Sequence, residues 1–155
     1  RTISWRTTES VHLVDIINQS DVTGDVDGED RLGQSMVNLL WNTNWGSLEV
    51  FALPGNRKRV FPGEDARLRS EITFSKSADY ESRARSNRTD AAIRATIFAG
   101  NTEIALSHFS GTSREPLLAL TANQLMPFYP VIDQTGLELQ YASGDWLWRS
   151  VRGPA

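Results

Sequence analysis

Two indoles bracket two amides in the run Trp41, Asn42, Thr43, Asn44, Trp45, Gly46. An indole face stacks on the C–H bonds of a sugar ring while amides and hydroxyls bond its hydroxyl groups. Trp45, Asn42 and Asn44 are therefore the candidate carbohydrate-binding residues. The competing reading makes the indoles core anchors, because Trp is largely buried on average. That reading is preferred for Trp41, which ends an apolar run.

A second constellation is acidic. Asp21, Asp25, Asp27, Glu29 and Asp30 lie among Gly24 and Gly28, and hard oxygens on a flexible loop suit Ca²⁺. Asp25, Asp27, Glu29 and Asp30 are the candidate metal ligands. The spacing departs from the helix-loop-helix calcium motif, which needs Gly at the sixth position; Gly28 is fourth counted from Asp25. A solvated acidic loop is the preferred reading, and no cofactor is required.

Basic residues gather twice, at Arg57, Lys58 and Arg59 and at Arg83, Arg85 and Arg88. Either cluster suits phosphate, an acidic glycan or an acidic neighbouring subunit. A solvated face is the commoner explanation of such runs. No aromatic residue is interleaved, so stacking on single-stranded nucleic acid has no support.

Hydrolytic chemistry has little to draw on. The only histidines are His12 and His108, and the serines near His108 do not form a nucleophile–base pair by adjacency, since neighbours in a strand point apart. No nucleophile elbow, zinc-protease helix or phosphate-cradling loop is present. Asp133, Glu138 and Asp145 are the carboxylates available for a folded-together pair. Asn18-Gln19-Ser20 and Asn87-Arg88-Thr89 match the glycosylation acceptor pattern in expected surface segments.

Trp146 and Trp148 stand two apart, hence on one face of a strand, with Leu147 and Val151 on the other. Buried, they are a large core contribution; exposed, they are a binding platform or an assembly contact. The core is the preferred reading.

The elements that must position these groups are strands. Residues 66–74 alternate Ala66, Leu68, Ser70, Ile72 and Phe74 against Arg67, Arg69, Glu71 and Thr73, the period of a sheet with one dry face. Similar patterns predict strands over 2–9, 11–17, 47–53, 57–61, 92–99, 103–109, 136–142 and 146–151. Residues 20–33, with three Gly and five acidic residues, read as a long loop. Segments 34–41 and 117–124 are the two places where a short helix fits. Gly100-Asn101 and Ser143-Gly144-Asp145 supply hairpin turns, and Pro54-Gly55 ends a strand.

The chain has 155 residues, 39% of them apolar and 23% charged, the proportions of one globular domain with a core of its own. The net charge of −3 does not steer it towards nucleic acid, and the absence of cysteine excludes disulfides and thiolate sites. No apolar run is long enough for a helical membrane span, so no membrane span is expected. The start at Arg1 suggests a processed product or an excised domain. The expected fold is an all-β antiparallel sandwich, with jelly-roll or Greek-key barrel connections, at most one or two short helices, one domain over 1–151 and a linker-like tail over 152–155. The expected function is that of a non-enzymatic structural or surface module, a virus coat protein or a domain projecting from a capsid. It acts through other subunits or a cell-surface receptor or glycan, at a virion or extracellular surface. The alternative is a carbohydrate-binding sandwich, and a hydrolase ranks last.

Overall fold

A computed structural model describes residues 17–20, 31–63 and 71–152. In chain order the strands are β1 (Gln19–Ser20), β2 (Arg31–Leu32), β3 (Val37–Thr43), β4 (Gly46–Pro54), β5 (Thr73–Phe74), β6 (Asp79–Tyr80), β7 (Thr89–Ala99), β8 (Thr102–Thr112), β9 (Leu117–Thr121), β10 (Gln124–Tyr129), β11 (Val131–Ser143) and β12 (Trp146–Arg152). The only helical element among the described residues is a 3₁₀ turn over Arg85–Asn87. The protein is all-β and sandwich-like, as the alternation predicts.

Six strands form the main sheet in the order β12-β11-β8-β7-β4-β3, every neighbouring pair antiparallel. This spatial order is the order along the chain, so the sheet is a meander and contains no Greek-key crossover. Three two-residue turns close its hairpins at one end: Asn44-Trp45, Gly100-Asn101 and Gly144-Asp145. Gly100 at φ 58° and Gly144 at φ 56° take up the left-handed backbone that a tight hairpin needs and glycine adopts at no steric cost. At Gly46 the reason is contact: a Cβ there would lie 1.9 Å from the Thr96 carbonyl oxygen. The long connections, from β4 to β7 and from β8 to β11, leave from the opposite end.

Those connections hold the smaller sheet. β10 pairs antiparallel with β9 and parallel with β5 and β6. Tyr80 stacks on Tyr129 at 5.0 Å and Phe61 on Phe74 at 4.2 Å. Burial raises the pKa of both tyrosines, more than a backbone N–H from Arg59 to Tyr129 Oη lowers it there.

The core lies on one face of the main sheet, at its long-connection end. Phe51 and Leu53 of β4, Ala92 of β7 and Phe109 of β8 pack with Ile17, and Met36 and Ile132 lean on them. Beside this cluster Asp90 is fully buried and accepts from Arg114 Nη1 at 2.7 Å and from the Thr112 N–H at 2.9 Å. Arg114 also donates to the Ile17 carbonyl at 3.1 Å and lies 5.4 Å over the Phe109 ring. Desolvation lowers its pKa, and the Asp90 carboxylate opposes that shift. The ion pair fixes the segment at Ile17 to the sheet.

Several sequence expectations need correction. Segment 34–41 is not helical: β3 begins at Val37 and pairs with β4 along its length. Segment 117–124 is β9 and its turn into β10. Residues 57–61 form no ladder; the Arg59 N–H donates to Tyr129 Oη at 2.8 Å, and the Lys58 ammonium donates to the Lys76 carbonyl. Of residues 66–74, 66–70 lie outside the described residues, Glu71 and Ile72 form a bend, and only Thr73–Phe74 pair. Residues 2–9 and 11–16 also lie outside them. Asn18, an expected surface acceptor, is buried. Arg152 closes β12 rather than opening the tail.

Candidate functional site

The two faces of the main sheet differ in chemistry. Antiparallel partners point to the same side, so the register sorts the strand residues without ambiguity. One face carries Val37, Leu39 and Trp41 of β3, Leu48 and Val50 of β4, Ile93 and Ile97 of β7, Ile104 and Leu106 of β8, Leu137, Leu139 and Tyr141 of β11, and Trp146 and Trp148 of β12. All of these but Leu48 are exposed. The ionisable groups on that face are His108, Asp133 and Arg152, all away from the hairpin end.

The opposite face is mixed away from the core: it exposes Leu40, Phe98 and Leu147, and it holds most of the polar side chains of the sheet. It carries Asn38, Asn42, Ser47, Glu49, Arg94, Thr96, Glu103, Ser107, Glu138, Gln140 and Arg149. There Arg94 Nη2 donates to Glu138 Oε2 at 3.0 Å, and Glu138 is 2% exposed. The open face is thus the more apolar of the two, while Thr96, Ser107 and Glu138 of the other face are buried. Thirteen large apolar side chains are exposed together on this face, more than a monomeric soluble protein ordinarily leaves in one patch.

Tryptophan burial is where the sequence expectation fails most clearly. Trp41 is 63% exposed, Trp146 73% and Trp148 67%. Burial frequency favours the core for each, but the register places all three on the open face. A partial signal for this was present in the long strands: Ile93 to Ile97 of β7 and Leu137 to Tyr141 of β11 alternate apolar with polar.

The sugar candidates are split by the fold. Trp45 and Asn44 form the β3–β4 turn and are exposed, and the Trp45 carbonyl accepts from the Phe98 N–H at 2.8 Å. Asn42 is exposed on the polar face, turned away from Trp41. The basic clusters, separate in sequence, leave from adjacent backbone: the Gly55 N–H donates to the Arg88 carbonyl and the Asn56 N–H to the Ser86 carbonyl. Arg57, Lys58, Arg83 and Arg85 are exposed there, Arg59 is half-buried, and Arg88 pairs with Asp90 at 3.3 Å.

The metal candidates Asp25, Asp27, Glu29 and Asp30 lie outside the described residues. Among the described residues no group of three or more His, Asp or Glu side chains is placed to hold a metal ion. His108 shares a hydrogen bond of 2.9 Å with Thr135 Oγ1, while Ser107 points to the other face. Asp133 and Glu138 also lie on opposite faces and Asp145 sits in a turn, so these three do not converge. No helix among the described residues is long and apolar enough to cross a membrane. The chain matches no family model, no curated protein and no solved structure.

Proposed function

We propose that this chain is a non-enzymatic structural module that works by burying the apolar face of its six-stranded sheet in a larger assembly. The observation that carries this reading is the concentration of exposed hydrocarbon on one face of the sheet, thirteen large apolar side chains, while most of the charged and amide groups, the Arg94–Glu138 pair among them, lie on the other. Burial of apolar area drives association at about 25 cal/mol per Å², so a face this large favours a covered state. A coat shell is one form of such an assembly, in which protein covers the face. The two edge strands β3 and β12 each offer an unpaired ladder among the described residues, and such edges recruit further strands.

Cysteine labelling tests it, because the chain has none of its own. Leu106→Cys on the apolar face is expected to react slowly with a water-soluble maleimide in the working assembly and quickly once 6 M urea is added. A stable monomer in plain buffer with Leu106→Cys freely reactive would overturn the reading. The exposed turn at Asn44-Trp45 supports a second reading, sugar binding at the hairpin tip. It requires a saturable tryptophan fluorescence change on glycan addition that Trp45→Ala abolishes.

A further inference from the structure

The geometry points to lipid acyl chains as what covers the apolar face, the sheet being part of the wall of a transmembrane β-barrel. This rests on the reading of that face as the working surface, and it adds a partner.

The first support is the stagger of the hairpins. The β3–β4 hairpin ends at Thr43–Gly46, in register with Ile97 and Ile104. The β7–β8 hairpin runs two residues further, to Ala99–Thr102, in register with Tyr141 and Trp148. The β11–β12 hairpin runs two further again, to Ser143–Trp146. The ends therefore shift by one residue per strand. One residue of about 3.3 Å against a strand spacing of about 4.8 Å inclines the strands by roughly 35° to an axis along which the turns are level, the tilt of membrane barrels.

The second support appears when the turns are placed level. Trp41, Tyr141 and Trp148 each lie two residues from the end of their hairpin, Trp146 lies at its end, and Trp45 is in the turn. Four of the chain's five tryptophans thus form one belt. Beyond it lie only apolar residues and Ser150 until the level of His108 and Arg152, and one step further the face becomes polar at Ser110 and Thr135. Six residues separate the Trp146 level from that of His108 and Arg152, roughly 16 Å along the inclined axis, where membrane barrels carry an apolar band of about 25 Å edged by aromatic rings. The partner is chosen by this layering: a protein partner has no need of aromatics at one level and aliphatics at the next, whereas indole rings favour the headgroup boundary.

The third support is the asymmetry of the ends. All three hairpins close with two residues at the belt end, while the opposite end carries the connections over 55–88 and 113–130. Short turns on one side and long loops on the other are the pattern of outer-membrane barrels. β4, β7, β8 and β11 run 9, 11, 11 and 13 residues, and a tilted transmembrane strand needs about 9–11. In this setting the edges of β3 and β12 are paired by further strands of the wall, since hydrocarbon offers no other partner.

The test uses the full chain refolded with phosphatidylcholine vesicles and four single-cysteine variants carrying an environment-sensitive dye. Leu39→Cys and Leu139→Cys report the apolar face, and their neighbours Asn38→Cys and Gln140→Cys the polar face. The expected result is flotation of the protein with the vesicles, resistance to extraction by carbonate, blue-shifted emission at 39 and 139, and quenching by acyl-chain bromine at those two positions and not at 38 and 140. Flotation without that alternation overturns the inference. Absence of flotation overturns it too, and the lipid-free sample then decides the underlying reading. Blue-shifted emission at 39 and 139 in a protein-only oligomer leaves that reading standing with protein as the cover, and water-like emission in a monomer removes both.

Discussion

Single residues decide how the sheltered face is held. Asp90 has no exposure and relies on Arg114, and Gly111 is the position that leaves room for its side chain: a Cβ there would lie 2.4 Å from Asp90 Cγ. Gly111→Ala is expected to push the carboxylate away from Arg114 and cost about 3–5 kcal/mol, the penalty for breaking a buried pair. Gly63→Ala, where a Cβ meets nothing within 4 Å, is expected to stay within about 0.5 kcal/mol of the parent. Urea midpoints of the two variants measured side by side check the contrast, and equal midpoints would show that Asp90 can move aside at little cost. None of this was legible in the sequence. Asp90 reads as a loop acid beside a run of arginines, and its partner Arg114 is 24 residues away. The charges that drew notice, the clusters at 57–59 and 83–88, are mostly at the surface.

At the scale of elements the sequence was legible wherever the chemistry of the turn was local. Gly100-Asn101 and Gly144-Asp145 name their hairpins because glycine supplies the positive φ that the turn demands. The β9–β10 hairpin was missed for the same reason. Its turn is Ala122-Asn123, at φ 47° and 64°, where neither residue is glycine, and a helix fitted the pattern as well. An alanine in the left-handed region carries about 1–2 kcal/mol of strain, part of which glycine returns as chain entropy in the unfolded state. Ala122→Gly is therefore expected to stabilise the protein by about 0.5–1 kcal/mol, read as a higher unfolding midpoint with an unchanged denaturant slope. A lower midpoint would mean that the turn is held by contacts of the Ala122 methyl group. The strand expected over 57–61, between two Pro-Gly turns, failed in the other direction: the Arg59 N–H and the Lys58 ammonium bond outside any ladder. Turn residues mark where a segment is bounded, and whether a partner strand lies beside it is a tertiary fact.

For the whole molecule, alternation predicted two faces and misassigned which one meets solvent. Frequency places tryptophan inside, and a sheet with a dry face in a soluble protein turns that face to the core. Here the dry face is open, and the inversion emerges only when six strands are set in register, which brings Trp41 of β3 and Trp148 of β12 onto one surface from positions 107 residues apart (148 minus 41). The length of the longest apolar run speaks only to helices, because a spanning strand spends every second residue on its polar side. The membrane reading makes a depth-dependent prediction that no aqueous assembly shares. Leu106 lies four residues above the hairpin end of β8, within the aliphatic band, whereas Thr102 lies at that end, level with the belt. Leu106→Arg is expected to cost about 2–4 kcal/mol of folding stability in vesicles and Thr102→Arg about 0–1 kcal/mol, because an arginine near the interface reaches the headgroups and one in the band does not. Urea unfolding in vesicles of increasing acyl-chain length checks this. A thicker bilayer should enlarge the penalty at Leu106 and leave that at Thr102 nearly unchanged. A penalty at Leu106 that is indifferent to bilayer thickness would place the face against protein, since a protein partner has no thickness to vary.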